Sequence, residues 1–399
     1  MAPPIRILTA VPICDGHDSA INTINLEFIH HGIEVVYLGY HRSVGDIVRA
    51  AIQEDVRAIG ISSYNGGHIE FFADVVQQLR EHGADDIKVF GGGGGTITHA
   101  DAKAMERKGV EKIFFAGTSL NDMADYVREN YGKPRKKRSR AKTRDIELAR
   151  MLTEIEEAAG RGKKIRNRKS EIRNSKVIGF TGPGGAGKTT LIDELVLRFL
   201  SYQSQARIAI LSHDPSVVGE GALLGDRATM INSQDDRVFM RSMATRGQAG
   251  GLSPATEGCL RELMQGGFNY VIIETVGTGQ EAMPFLKNGI VDQAVLVMNP
   301  DYGSRLQLQK IVMLGLADIV VVNKTDQARA RAAISEIERR LDQNMRAQRL
   351  VASVAKRHRD SGVDELFGLI SGNAVAAVSD NRDQNSRRSE SAATKRRKT

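Results

Sequence analysis

At 399 residues, 41% of them hydrophobic, the chain has the length and the apolar material for two domains, each with its own core. It lacks any apolar run of about 18 residues, and its N-terminus lacks a secretory signal; its cysteines, Cys14 and Cys259, fall in different predicted units, so the expectation is a reducing cytoplasm, no membrane and no disulfide framework. The net charge of +8 is confined to three segments carrying 22 basic and 4 acidic residues, leaving 34 basic against 44 acidic elsewhere, which argues against a basic nucleic-acid-binding face on either folded unit.

Residues 1–132 read as the first unit. Short apolar runs at 5–11, 34–38, 58–62, 87–90 and 112–115 alternate with amphipathic stretches such as 47–52 and 71–79. Five such repeats predict an α/β fold, a flavodoxin-like doubly wound parallel sheet. Ligands of such sheets bind outside the carboxyl ends of the strands, here the loops 12–20, 63–68 and 91–97. In the first loop Asp15 stands two residues before His17, a spacing that lets the carboxylate orient the ring while its other nitrogen binds a metal. Ser62 and Tyr64 follow the third run. Gly91, Gly92 and Gly93 begin a run of five glycines, which reads either as a groove without side chains, suited to a bulky nucleotide tail, or as a flexible loop.

Residues 133–175 read as a basic linker with a helix. The run 133–144 holds eight basic and no acidic residues and is expected to be exposed; 161–173 holds seven basic and one acidic. Neither contains an aromatic for stacking on bases. Between them, Ile146, Ala149, Leu152, Ile155 and Ala159 recur at helical spacing and predict a packing helix over 145–159.

The second unit spans 176–371 and reads as a P-loop GTPase domain with a mostly parallel sheet, its strands including 177–181, 207–211, 270–274, 293–298 and 318–322. After the first comes Gly182-Pro183-Gly184-Gly185-Ala186-Gly187-Lys188-Thr189-Thr190, then a helix over 191–200. Such a loop turns backbone N–H groups inward around phosphates. Lys188 is placed to reach the β and γ phosphates, and Thr189 to ligate Mg²⁺. Asn323-Lys324-Thr325-Asp326 follows a later strand; a carboxylate at Asp326 accepts from guanine N1–H and its 2-amino group, donors that adenine lacks. Asp214, Asp226 and Glu274 lie between these motifs as carboxylates for Mg²⁺. Residues 372–399 are too polar to bury a core and are expected to be a disordered basic tail.

The runs Asp214-Pro215-Ser216, GALLGDR at 221–227, ETVGTGQ at 274–280 and Asn323–Asp326 resemble the G-protein chaperones of adenosylcobalamin-dependent acyl-CoA mutases. That family commonly has a second arginine soon after GDR, where this chain has Thr229. The N-terminal trio resembles the cobalamin-binding domain of the mutases, with Ala20 in place of the last glycine of its first motif and Tyr64 in place of a leucine. The order of the two units resembles the fused isobutyryl-CoA mutases, whose large substrate barrel this sequence does not contain. The resemblance implies His17 on cobalt, with Asp15, Ser62, Tyr64 and Gly91–Gly93 holding the corrinoid. It also implies adenosylcobalamin, GTP and Mg²⁺ as cofactors. The partners it implies are a large acyl-CoA-binding mutase subunit, a cobalamin adenosyltransferase and a second copy of the chain. The function it implies is a mutase subunit fused to a GTPase that gates cofactor loading. The alternative is a non-enzymatic cobalamin carrier or sensor under a GTPase switch.

Overall fold

The computed structural model describes residues 4–13, 19–64, 66–133, 135, 140–162, 175–217, 219–277, 291–302, 312–344 and 346–372. The first unit supplies β1 (Ile5–Ala10), β2 (Ile33–Tyr37), β3 (Ala58–Ser62), β4 (Lys88–Gly92) and β5 (Lys112–Phe114), all pairing in parallel. Their order is β5-β4-β3-β1-β2, the flavodoxin-like arrangement, with ligand loops at the carboxyl edge. Helices on both faces bury apolar stripes against it. Val44–Gln53, for example, opens on a capping box between Ser43 and Asp46 and buries Ile47, Val48, Ala51 and Ile52.

The sheet has a sixth strand that no run of the N-terminal sequence announces. It is β8 (Ala222–Leu224), which pairs in parallel with β2, Glu34 opposite Ala222 and Val36 opposite Leu224. Three residues from the second half of the chain thus complete the first sheet.

The second sheet contains β6 (Lys176–Thr181), β7 (Ile208–Asp214), β9 (Val238–Ala244), β10 (Tyr270–Glu274), β11 (Gln293–Met298), β12 (Ile319–Val322) and β13 (Arg349–Ala352), in the order β13-β12-β11-β6-β10-β7-β9. Every pairing is parallel, and all the strands but the edge strand β13 are buried on both faces, as helices on both sides require. The central strand β6 runs into the phosphate loop, between β11 and β10, with β7 on the far side of β10.

The helix Arg144–Gly160 joins the two halves. Its Ile146 enters the core of the first unit, while Leu148, Ala149, Leu152 and Ile155 lie in the core of the second. The basic run before it is not wholly solvated. Arg135 reaches Asp55 at 2.7 Å and Asp86 at 3.1 Å, with its side chain 11% exposed, because two acidic residues distant in sequence converge there. Among the described residues, no helix is long and apolar enough to cross a membrane. Residues 163–174 of the predicted linker and 373–399 of the predicted tail lie outside the described residues.

Candidate functional site

The phosphate loop and the helix Lys188–Tyr202 follow β6 directly, so the positive end of a helix points at the loop. Gly187 stands there with φ of +86°, and a Cβ on it would lie 2.5 Å from Asn323 Nδ2; only glycine satisfies both conditions. Lys188 is buried, its Nζ donating to the Gly182 carbonyl at 3.1 Å. Thr190 is exposed at the start of the helix, and Gly185 and Gly182 shape the loop.

Behind Thr189 three carboxylates converge. Thr189 Oγ1 donates to Glu274 Oε1 at 2.8 Å and lies 3.5 Å from Asp226 Oδ1. Ser212 Oγ donates to Asp226 and lies 3.5 Å from Glu274 Oε2. Asp214 Oδ2 is buried with no hydrogen-bond partner among the described residues. Burial, then the Asp226 charge, pushes Glu274 up to about 8. Burial, then the Asp226 and Glu274 charges, pushes Asp214 well above the usual carboxylate range. A divalent cation would reverse this repulsion, so the donor set, one hydroxyl and crowded carboxylates, fits Mg²⁺. Among the described residues no group of three or more His, Cys, Asp or Glu side chains is arranged to hold a metal ion by itself. Mg²⁺ keeps several waters and is held by one or two protein ligands plus substrate phosphates, so it does not need one.

His213, beside Asp214, is wholly encased. Its Nδ1 pairs with the Glu274 carbonyl and its Nε2 with Thr256 Oγ1, each at 2.8 Å, and burial lowers it to about 4. Gly277 lays its carbonyl on the Gly184 N–H at 2.7 Å, fixing the strand end against the phosphate loop. Residues 278–280 of the ETVGTGQ run and 303–311 lie outside the described residues. Thr229 is exposed and bonds the Asp226 carbonyl at 3.0 Å.

Asn323, Lys324 and Asp326 come to the same end. Asn323 Nδ2 donates to the Ala186 carbonyl at 3.0 Å, and Lys324 Nζ to the Gly185 carbonyl at 2.7 Å. The exposed Asp326 pairs with Lys356 at 2.5 Å, which holds its carboxyl below the usual range. A loop the sequence reading missed completes this corner: Asn323 Oδ1 accepts from Ser353 Oγ at 3.2 Å and Ala355 N at 2.9 Å. Its only sequence signal is a serine just past the short apolar run Leu350-Val351-Ala352, too common to single out.

The first unit has a cavity of about 380 Å³ at the carboxyl edge of its sheet. Its lining includes Ala20, Ser62, Tyr64, Gly91, Gly92 and Gly93. A Cβ on Gly93 would lie 2.1 Å from the Ser63 carbonyl, so the glycine run is a close-packed cradle rather than slack chain. Thr9, Thr23 and Thr118 add hydroxyls to walls otherwise made by Ile21, Ile24 and Phe115. A large ligand with an apolar body and a few polar contacts fits such a lining. Asp15 and His17 lie outside the described residues.

Comparison with known proteins assigns a family to each of the two units. Residues 148–398 match the model of the methylmalonyl-CoA mutase-associated GTPase MeaB, and residues 5–137 that of the B12 binding domain. The fused isobutyryl-CoA mutase of Geobacillus kaustophilus is 36% identical over 390 residues, covering 91% of this chain and 36% of the relative. That of Cupriavidus metallidurans is 36% identical over 389 residues, covering 92% and 35%. The mitochondrial methylmalonic aciduria type A homolog of Mus musculus is 36% identical over 186 residues, 46% of this chain and 43% of its own. The chain thus spans about a third of the length of the fused mutases it matches.

Proposed function

We propose that this chain, which belongs to the family of methylmalonyl-CoA mutase-associated GTPases (MeaB) and carries a B12 binding domain ahead of its GTPase domain, is the cobalamin-binding subunit of an adenosylcobalamin-dependent acyl-CoA mutase fused to its GTPase chaperone. The observation that carries this reading is one chain bearing both a phosphate loop backed by crowded carboxylates and a glycine-floored cavity on a flavodoxin-like sheet. Adenosylcobalamin, when bound, supplies radical chemistry. Rearrangement of an acyl-CoA then falls to a large substrate-binding mutase subunit that meets this chain. A cobalamin adenosyltransferase and a second copy of the chain are further partners of this reading, and the cytoplasm its compartment.

In the nucleotide site, Lys188 exchanges its bond to the Gly182 carbonyl for phosphate oxygens, while the loop amides cradle them. Thr189, whose hydroxyl now bonds Glu274, would hold Mg²⁺ together with Asp214, Asp226 and Glu274, directly or through water. Asp326 and the Ala355 corner select guanine. In the other site, His17 would ligate cobalt and Asp15 would orient its ring. Ser62, Tyr64 and the Gly91–Gly93 floor enclose the nucleotide tail.

The test is reconstitution of the purified chain with adenosylcobalamin and Mg-GTP. The reading expects a stoichiometric coloured complex, GTP hydrolysis by the chain alone, and acyl-CoA rearrangement only after a substrate-binding mutase subunit is added. GTP hydrolysis with no corrinoid bound would leave a plain GTPase and overturn it.

A further inference from the structure

The segment 222–229 belongs to both units at once. It begins as β8 on the edge of the first sheet, beside β2. It continues into Asp226, whose carboxylate faces Thr189 and Ser212 in the phosphate site. The next residue turns the other way. Arg227 is 0% exposed and donates Nε to Glu54 Oε1 at 3.1 Å and Nη2 to Gln53 Oε1 at 3.0 Å, at the end of the helix Val44–Gln53 of the first unit. Glu54 also accepts from Ser242 N and Oγ, so this is a buried anchor with several partners.

One residue further, the Ala228 carbonyl accepts from Arg42 Nη2 at 2.7 Å. Arg42 is the hub of a loop in the first unit. Its Nε donates to the Leu38 carbonyl at 2.6 Å and its backbone N–H to the Val11 carbonyl at 3.1 Å. Val11 N in turn donates to the Gly39 carbonyl at 3.0 Å, and His41 Nδ1 pairs with the Ile13 carbonyl at 3.0 Å. His41 has φ of +58°, a left-handed backbone uncommon outside glycine, held only where surroundings over-determine it. Residues 11–13 lead straight into Asp15 and His17. A continuous chain of bonds therefore runs from Asp226, through Ala228 and Arg42, to the strand end that carries the His17 loop.

We propose that Arg42 is a positioning residue that reads the nucleotide site: movement of Asp226 with nucleotide state tilts the 226–229 turn about the Arg227–Glu54 anchor, and Arg42 passes the shift to residues 11–13. The inference rests on the reading of Asp214, Asp226 and Glu274 as the Mg-nucleotide site. Coupling needs a difference in free energy between two states, and one directional bond on a strained loop provides a place for it. Arg227 is unsuited to be the moving part, since breaking a buried ion pair is costly; Arg42 is only partly buried and makes a single bond to the segment.

Hydrogen exchange of the full chain with Mg²⁺ and either GDP or a non-hydrolysable GTP analogue tests this without cobalamin. The expected result is that amides of 11–13 and 38–42 exchange at rates differing about fivefold or more between the two states. In Arg42→Ala the difference falls to within about twofold, with nucleotide affinity and GTP hydrolysis unchanged. Arg42→Lys keeps the charge but not the forked donation to Leu38 and Ala228, and is expected to lose the difference too, which covers a misfolded alanine variant. Full nucleotide binding with changes confined to the second unit, or an undiminished difference in both variants, overturns the relay and leaves the functional reading intact. Failure to bind guanine nucleotide at all overturns that reading, and the relay with it.

Discussion

Arg241 on β9 bonds Glu156 on the helix Arg144–Gly160 twice, Nε at 3.0 Å and Nη2 at 2.6 Å, with both side chains buried. Arg6 and Arg246 reach the same carboxylate from elsewhere, at 2.8 and 3.3 Å, and both also bind Glu34. Charges from β1, β2, β9 and the connecting helix thus meet in one buried cluster that joins the two units. Such a cluster specifies geometry more than it adds stability, because each charge gave up its water.

The cluster predicts acid sensitivity. Burial alone would raise Glu156, but Arg6, Arg241 and Arg246 outweigh it and hold the carboxyl below its ordinary 4.5. A depressed carboxylate contributes stability above that ordinary value and loses it as pH falls further. His213, lowered by burial from 6.5 to about 4, behaves likewise: its contribution is full above 6.5 and lost on descent through 4. The raised Glu274 and Asp214 carboxyls act in the opposite sense over the same range, so the histidine is read from the difference between parent and variant: in urea unfolding at stepped pH, His213→Asn should gain stability relative to the parent as pH falls from 6.5 to 4. An unchanged profile would contradict the neutral, buried histidine.

Breaking the anchor should be expensive at any pH. Glu54→Gln leaves Arg227 buried without its counter-charge and is expected to cost about 3–5 kcal/mol, read from denaturant midpoints. Arg227→Met, removing the charge and keeping the bulk, should restore part of the loss in the double variant. Additive costs would show that the two residues do not interact.

In the nucleotide site, Lys188→Ala should abolish productive GTP turnover while corrinoid binding persists. Asp326→Ala should reduce discrimination of GTP over ATP by about a hundredfold or more, because the carboxylate provides the hydrogen-bond contrast. Competition binding of the two nucleotides measures this. Parent-like selectivity in Asp326→Ala would remove the base-recognition role.

The five strands of the first unit were legible because each is a short apolar run between amphipathic stretches, and the phosphate loop because its glycines and lysine sit at fixed positions after a strand. What remained hidden depends on partners far away in sequence. Ala222–Leu224 reads as the middle of a GALLGDR motif, and nothing local says that it will pair with Glu34–Val36. Arg227 closes the same motif one residue after Asp226, and nothing local says that it will be buried on Glu54 of the first unit. Arg135 is one of eight basic residues in a run that reads as solvated, and only the convergence of Asp55 and Asp86 makes it different. Asn323 was legible as part of a guanine motif, but its bonds to Ser353 and Ala355 required the fold.

The cavity makes its own prediction. Gly93→Ala places a methyl 2.1 Å from the Ser63 carbonyl, so the loop must shift. The expected cost is about 1–3 kcal/mol of stability, with weakened corrinoid binding and intact GTP hydrolysis. A variant that binds the corrinoid like the parent would show that the glycine floor is not the ligand cradle.

The proposed function stands or falls on whether His17 ligates cobalt in this chain. Electron paramagnetic resonance of the chain loaded with cob(II)alamin, prepared with and without nitrogen-isotope-labelled histidine, decides it. Labelling is expected to alter the nitrogen splitting on cobalt, and His17→Ala to abolish that splitting. Splitting insensitive to histidine labelling, or unchanged in His17→Ala, would rule His17 out as the ligand.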